Sequence, residues 1–417
     1  MKQQHTLQPK LRFPEFEEKW NSIKLGDLMT FKNGVNASKE NYGFGYKFIN
    51  VLDIINNNII TNDIIIGEVS ITEKEFEKNI VQYGDILFQR SSETREEVGQ
   101  SNVYLDETPA TFGGFVIRGK SISEYNSLYL HYLLKTSKAR LEITTKSGGS
   151  TRFNVGQETL SNVIIKISSS LPEQQKIADY LSTIDTKINL LEEKKAQLSL
   201  YKKAMMQKLF SQEIRFKPVL SGVEGEDNGN DFPEWEEKRL GDVLIEKLEK
   251  STVNNQYEIL SSTVNDIFLQ KDYFTRDIAS KDNIGYKVLK LNQLVFSPQN
   301  VWMGNLNVNT KFDIGLVSPS YKIFDFKNVS VAYFKYFLKT PKMIKEYLIS
   351  SEQGASVVRR NLNLDLFKQI KLLIPSVKEQ QKIADFLSAI DASIEKVNEQ
   401  ISQTQSFKKA MLQQLFV

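Results

Sequence analysis

The chain has 417 residues, 54 basic and 51 acidic side chains, a formal net charge of +3 and 40% hydrophobic content. That is length for two or three domains and enough apolar surface for packed cores. It has no cysteine and only two histidines, His5 and His131, which excludes disulfides, thiolate chemistry and a histidine-rich metal site. No apolar run reaches the length of a membrane span, and the opening MKQQHTLQPKLRFPEF lacks a signal-peptide core. A cytoplasmic protein is therefore expected. The mild basicity permits a polyanionic partner without requiring one.

The first landmark in chain order is FPEFEEKWNSIKLGDL (13–28). Short strands are predicted at GDILFQR (84–90), TFGGFVIRG (111–119) and NVIIKI (162–167), and an amphipathic helix at YNSLYLHYLLKTSKARLEI (125–143). Ser170 and Glu173 have the spacing of a capping box, and a long helix follows. In it Ile177, Leu181, Ile184, Ile188, Leu191 and Leu198 take alternating steps of four and three, with Lys195 and Lys202 interrupting. That is a heptad seam, which needs a partner. Residues 211–231 are rich in Gly, Asp and Asn and read as a linker.

The order of landmarks then repeats. WEEKRLGDV (235–243) matches WNSIKLGDL (20–28), and YFKYFLKT (333–340) matches YLHYLLKT (129–136). Strands are predicted at NQLVF (292–296), SYKIF (320–324) and QIKLLI (369–374), and a helix at VAYFKYFLKTPKMIKEYLI (331–349). EQQKIADYLSTIDTKI (173–188) returns as EQQKIADFLSAIDASI (379–394), and YKKAMMQKLF (201–210) as FKKAMLQQLF (407–416), both at an offset of 206 residues. The second helix opens with the pair Ser376 and Glu379. Its seam is Ile383, Leu387, Ile390, Ile394, Val397 and Ile401, with Thr404 and Lys408 interrupting. The halves thus define an α+β fold: two repeated α/β modules and two long helices packed as an antiparallel coiled coil with pseudo-two-fold symmetry. The expected boundaries are module 1–168, helix 169–210, linker 211–231, module 232–375 and helix 376–417. A coiled coil between two chains is the alternative to pairing within one. Gln174, Lys203, Gln380 and Lys409 recur off the seam and are expected to dock a partner.

GFVIRGKS (114–121) fits the pattern of a phosphate-binding loop, but its central residues read as strand, and the second half lacks the motif. No glycine-rich S-adenosylmethionine loop, Asn-Pro-Pro-aromatic motif, nuclease motif or metal-binding carboxylate cluster is evident, so no catalytic and no metal-ligating residue is assigned. The loops instead carry side chains suited to DNA. In the first half these are Lys39, Tyr42, Gln89, Arg90, Ser91, Ser92, Thr94, Arg95, Thr151, Arg152 and Asn154. In the second they are Gln299, Asn300, Trp302, Asn305, Arg359, Arg360 and Asn361. Arg grips guanine and Asn or Gln grips adenine in the major groove, while Lys, Ser and Thr hold phosphates.

FPEFEEKWNSIKLGDL, the paired EQQKIADYL and EQQKIADFL helices, the LF endings and the half-by-half repeat together resemble the specificity subunit of type I restriction–modification systems. The resemblance spans essentially the whole chain. It implies that each module is a target recognition domain reading one half of a bipartite double-stranded DNA site, and that the helices set the spacer. It further implies two modification subunits, which methylate adenine with S-adenosylmethionine, and restriction subunits, which use ATP and Mg. This chain would hold no cofactor and perform no catalysis. A coiled-coil scaffold without DNA recognition, and a nucleotide-dependent enzyme built on 114–121, are the competing readings.

Overall fold

A computed structural model describes residues 8–217, 232–274, 282–353 and 360–417. His5, most of the expected linker and Arg359 lie outside the described residues. The chain forms two compact units, Met1–Glu193 with Val397–Val417, and Lys194–Lys396.

In the first unit a four-stranded antiparallel sheet has the order Met29–Asn33, Val116–Ser121, Ile86–Gln89, Ser101–Val103. Trp20–Lys24 pairs with Ile164–Ser168 and ties the start of the module to its end. The strand Ile86–Gln89 is buried throughout, because it has a core on each face. Ile86 and Phe88 enter a cluster with Leu130 and Tyr132, whereas Leu87 enters another with Ile49 and Phe112. A continuous apolar run is what a strand between two cores requires.

The second unit repeats this plan. Its sheet runs Leu244–Lys247, Lys322–Phe326, Leu294–Phe296, Leu306–Val308, and Glu236–Arg239 pairs with Lys371–Ile374. Leu294 and Phe296 face one core and Val295 the other. The two stretches predicted as single helices are each broken in two, at Ser127–Leu134 and Ser137–Lys146, and at Val331–Phe337 and Pro341–Ile349. The cause is a threonine. Thr136 and Thr340 adopt extended backbone and accept the N–H of Ala139 and Met343 as N-caps, so a new helix starts where the first ends.

The long helices are Leu171–Phe210 and Val377–Leu415, the first about 60 Å long at 1.5 Å per residue. The opening half of each groups with the closing half of the other, residues 171–193 with 397–415 and 194–210 with 377–396, the order of an antiparallel pair. Their seam has a wider role than the heptads suggest. Ile177, Leu181, Ile184 and Ile188 are buried against Trp20, Tyr129 and Tyr132 of the module as well as Met411, Leu415 and Phe416 of the other helix. Ile383, Leu387 and Ile390 share a core with Trp235, Tyr333 and Leu209. Val397 is buried, and Leu191, Leu198, Ile394 and Ile401 are half-buried. The LF endings are plugs: Phe416 lies 5.2 Å from the Tyr129 ring, and Phe210 lies 5.6 Å from that of Tyr333.

The glutamates of the expected capping boxes turn to ion pairs instead, although the Ser376 hydroxyl still accepts Glu379 N–H at 3.4 Å. Glu173 is fully buried and accepts Arg12 through both oxygens, at 2.7 and 2.9 Å. Glu379, also fully buried, accepts Arg215 at 3.1 and 2.9 Å. Each arginine also donates to the backbone ahead of its module's first strand, to Glu18 for Arg12, and to Phe232 and Pro233 for Arg215. The expectation that Gln174 and Gln380 dock a partner is corrected here. They are 3% and 1% exposed, and their side-chain carbonyls accept the backbone N–H of Asn126 and Ser330, the caps of the module helices. Their recurrence reflects a repeated internal joint. Lys203 and Lys409 are exposed.

The phosphate-loop reading also fails on geometry. Val116–Ser121 is strand, with Lys120 opposite Thr30 and Gly119 between Phe31 and Ile86. A Cβ on Gly119 would sit 2.3 Å from the Met29 sulfur, so this glycine serves close packing rather than a phosphate cradle.

Candidate nucleic-acid interface

In the first unit the strand Ile86–Gln89 feeds a loop that the fold joins to a distant segment. Ser91–Ser92 pairs with Phe153–Asn154, Val155 N–H donates to the Arg90 carbonyl at 3.0 Å, and the Ser91 hydroxyl donates to Asn154 Oδ1 at 2.6 Å. Two clusters some sixty residues apart in sequence are therefore one surface. Arg90 also donates to the Gly114 carbonyl at 3.2 Å, and Gly114 N–H donates to the Val35 carbonyl. The turn 113–115 thereby joins the segment holding Lys39 and Tyr42 to the same corner. Lys39, Thr94, Arg95, Thr151, Arg152 and Asn154 are exposed there, and Arg90 is half-buried.

The second unit has the same joint. The strand Leu294–Phe296 feeds Pro298, whose carbonyl accepts Leu362 N–H at 3.2 Å, and Ser351–Gln353 pairs with Arg360–Leu362. Gln299 and Asn361 are exposed, whereas Asn300, Trp302 and Arg360 are half-buried. Trp302 Nε1 donates to the Gln299 carbonyl at 3.1 Å, and Arg360 donates to the Ser351 carbonyl at 3.0 Å.

Three expected contacts are corrected by burial. Gln89, Ser92 and Asn305 are 7%, 9% and 8% exposed. Gln89 Nε2 donates to the Ser91 carbonyl, Ser92 Oγ to Glu97, and Asn305 accepts the Ser262 hydroxyl. These bonds turn the three side chains inward, where they brace the loops.

The structure adds residues that sequence reading missed. Arg140 lies beneath the loop 90–99 and donates to the carbonyls of Glu96, Val98 and Gly99. Burial pushes its guanidinium down to about 10. Phe115 at the 113–115 turn is 64% exposed. Phe44 is 55% exposed, lifted from its strand by a bulge in which Tyr42 and Tyr46 both face Val69. Gly43 and Gly45 take φ of +100° and +104°, a region that favours glycine, so the triplet Gly-Phe-Gly was the available signal. Among the described residues no cluster of His, Cys, Asp or Glu could hold a metal, and no helix is long and apolar enough to cross a membrane.

The arrangement is a repeated scaffold with different loops at equivalent corners, the form of a two-part reader rather than of an enzyme pocket. Residues 17–200 and 233–404 each match the family described as type I restriction modification DNA specificity domain. The chain belongs to that family. It is a DNA-recognition component, a specificity subunit, and not a catalytic one. It is 29% identical over 316 residues to the type I restriction enzyme MjaIX specificity subunit of Methanocaldococcus jannaschii, covering 70% of this chain and 68% of that one. Its fold is similar to the crystal structure of the type I restriction–modification S subunit from M. genitalium, with a TM-score of 0.53, 16% identity, and 98% and 99% of the two chains covered. It is also similar to a chain from a structural study of complex assembly and conformational transition in the type I system, with a TM-score of 0.56, 13% identity, and 96% and 99% covered.

Proposed function

We propose that each unit reads one half of a bipartite double-stranded DNA site through its corner of joined loops. The observation that carries this reading is the matched joint, Val155 to Arg90 in one unit and Leu362 to Pro298 in the other, holding different side chains in each. A common scaffold fixes where DNA is met, and the differing loops fix which bases are read. In the first unit Lys39, Thr94, Thr151 and Arg152 are suited to phosphates. Arg90 and Arg95 are suited to base edges, and Phe44 and Phe115 to apolar contact with bases. In the second, Gln299, Asn300, Trp302, Arg360 and Asn361 take the corresponding roles.

The paired helices hold the two readers and so set the number of unread base pairs between half-sites. Their outer faces, Lys203 and Lys409 included, receive two modification subunits, with restriction subunits joining the assembly. S-adenosylmethionine, ATP and Mg belong to those partners. The complex acts in the cytoplasm, where its DNA lies.

The test is equilibrium binding of the complex with its modification subunit to a site-containing duplex across a salt series. Arg152→Ala should weaken binding to all sequences and reduce the salt slope by about 1. Arg90→Ala should weaken binding to the cognate first half-site by about 1–3 kcal/mol and relax its sequence. Binding unaffected by salt, or by both substitutions, would contradict the reading.

A further inference from the structure

The lysines that interrupt the heptads, Lys202 and Lys408, belong to two matched clusters that the DNA-reading function does not use. In the first unit the Tyr132 hydroxyl donates to Asp185 Oδ2 at 2.7 Å. Lys408 donates to Asp185 Oδ1, and its ammonium lies 5.3 Å from the Tyr132 ring centroid. In the second unit the Tyr336 hydroxyl donates to Asp391 Oδ2 at 2.7 Å. Lys202 donates to Asp391 Oδ1 at 2.5 Å and lies 5.0 Å from the Tyr336 ring. The offset of 206 residues carries Asp185 onto Asp391 and Lys202 onto Lys408.

Each cluster joins three elements at one carboxylate. The tyrosine comes from the module, the aspartate from the long helix that follows it, and the lysine from the other long helix. Tyr132 is fully buried and Tyr336 is 4% exposed. The surrounding apolar contacts are non-directional and tolerate small rotations of the module on its helices. Short charge-assisted bonds are directional and do not. Lysine at a seam position costs stability relative to leucine or methionine, so its presence in both seams calls for a use other than stability. A buried polar group that fixes register is the best-attested such use.

We propose that Tyr132–Asp185–Lys408 and Tyr336–Asp391–Lys202 are positioning clamps that fix the angle of each recognition module on the helix pair, and thereby the spacer length the protein accepts. This rests on the bipartite reading above. Loosening one clamp lets its module meet DNA at neighbouring registers while its loops, far from the clamp in sequence, still read the same bases.

The experiment uses the full chain assembled with its modification subunit. Methylation is measured on a duplex library with spacers of the native length and of one base pair more or fewer. Asp185→Asn and the milder Tyr132→Phe, which keeps both the ring and the Asp185–Lys408 pair, should raise methylation at off-length spacers relative to the native length. The rise should be about tenfold for the first and smaller for the second, within the range of network couplings. Both half-site sequences should stay unchanged. Exchanging the charges, Asp185→Lys with Lys408→Asp, should restore most of the native preference. A fall in thermal stability with unaltered spacer preference would make the clamps merely structural and overturn the inference, leaving bipartite recognition intact. A changed half-site sequence would instead count against the division between reading loops and spacer helices.

Discussion

Replacing Arg12 with Met should unfold the first unit at a markedly lower temperature. Arg12 supplies two of the hydrogen bonds to the fully buried Glu173 carboxylate. Without it the carboxylate keeps the Ser168 hydroxyl and no positive partner among the contacts described. Breaking a buried pair from one side costs about 3–5 kcal/mol. The Arg12 side chain is 13% exposed, so water reaches its edge and the lower figure applies. For a unit of this size each kcal/mol moves the midpoint by roughly 2–4 °C, which gives a fall of roughly 6–12 °C. Differential scanning calorimetry reads it directly. The paired substitution Arg12→Met with Glu173→Gln should recover at least about half of the loss, because it removes the stranded charge. A fall below about 2 °C would place the contact among ordinary surface pairs and refute the reasoning.

Arg140→Met should leave the second half-site untouched and reduce methylation through the first, because Arg140 donates to the carbonyls of Glu96, Val98 and Gly99 under the reading loop; equal loss at both half-sites would contradict this. Burial pushes Lys135 and Lys339 down to about 8, whereas an unfolded lysine titrates near about 10.4. Between those values the unfolded chain binds more protons, so these groups raise stability as pH rises. The melting temperature of the wild type should therefore gain on that of Lys135→Met between pH 7.5 and 9.5, and parallel curves would contradict it. Lys120→Ala should leave DNA recognition unchanged and reveal no loss of nucleotide binding by calorimetry, since Lys120 lies in a strand opposite Thr30.

The architecture was legible because repetition and periodicity are linear signals. The offset of 206 residues between long helices survives folding unchanged, whereas the first four seam residues of each helix are shared with a module core. What stayed hidden depended on contacts across the chain. Gln174 recurs as Gln380, which reads as an outer face, but both are buried and hold the capping residue of a module helix, Asn126 or Ser330. The Arg-Phe pairs at 12–13 and 215–216 recur as well, yet two residues are too short a repeat to find unaided. Nor does sequence order show that Arg12 ends beside Glu173. Of the loop residues, Gln89 closes a strand buried on both faces, so alternation alone does not show which way it turns. The joining of Ser91 to Asn154 needed the fold itself. Lys202 and Lys408 looked like flaws in a heptad until their aspartates were in view.

The most direct test of bipartite recognition is a module exchange. Residues 20–165 are replaced by the matching segment of another specificity subunit, and methylated adenines are mapped genome-wide in cells that also express the modification subunit. The account predicts one altered half-site, with the other half-site and the spacer length retained. Alteration of both half-sites, or of neither, would contradict it.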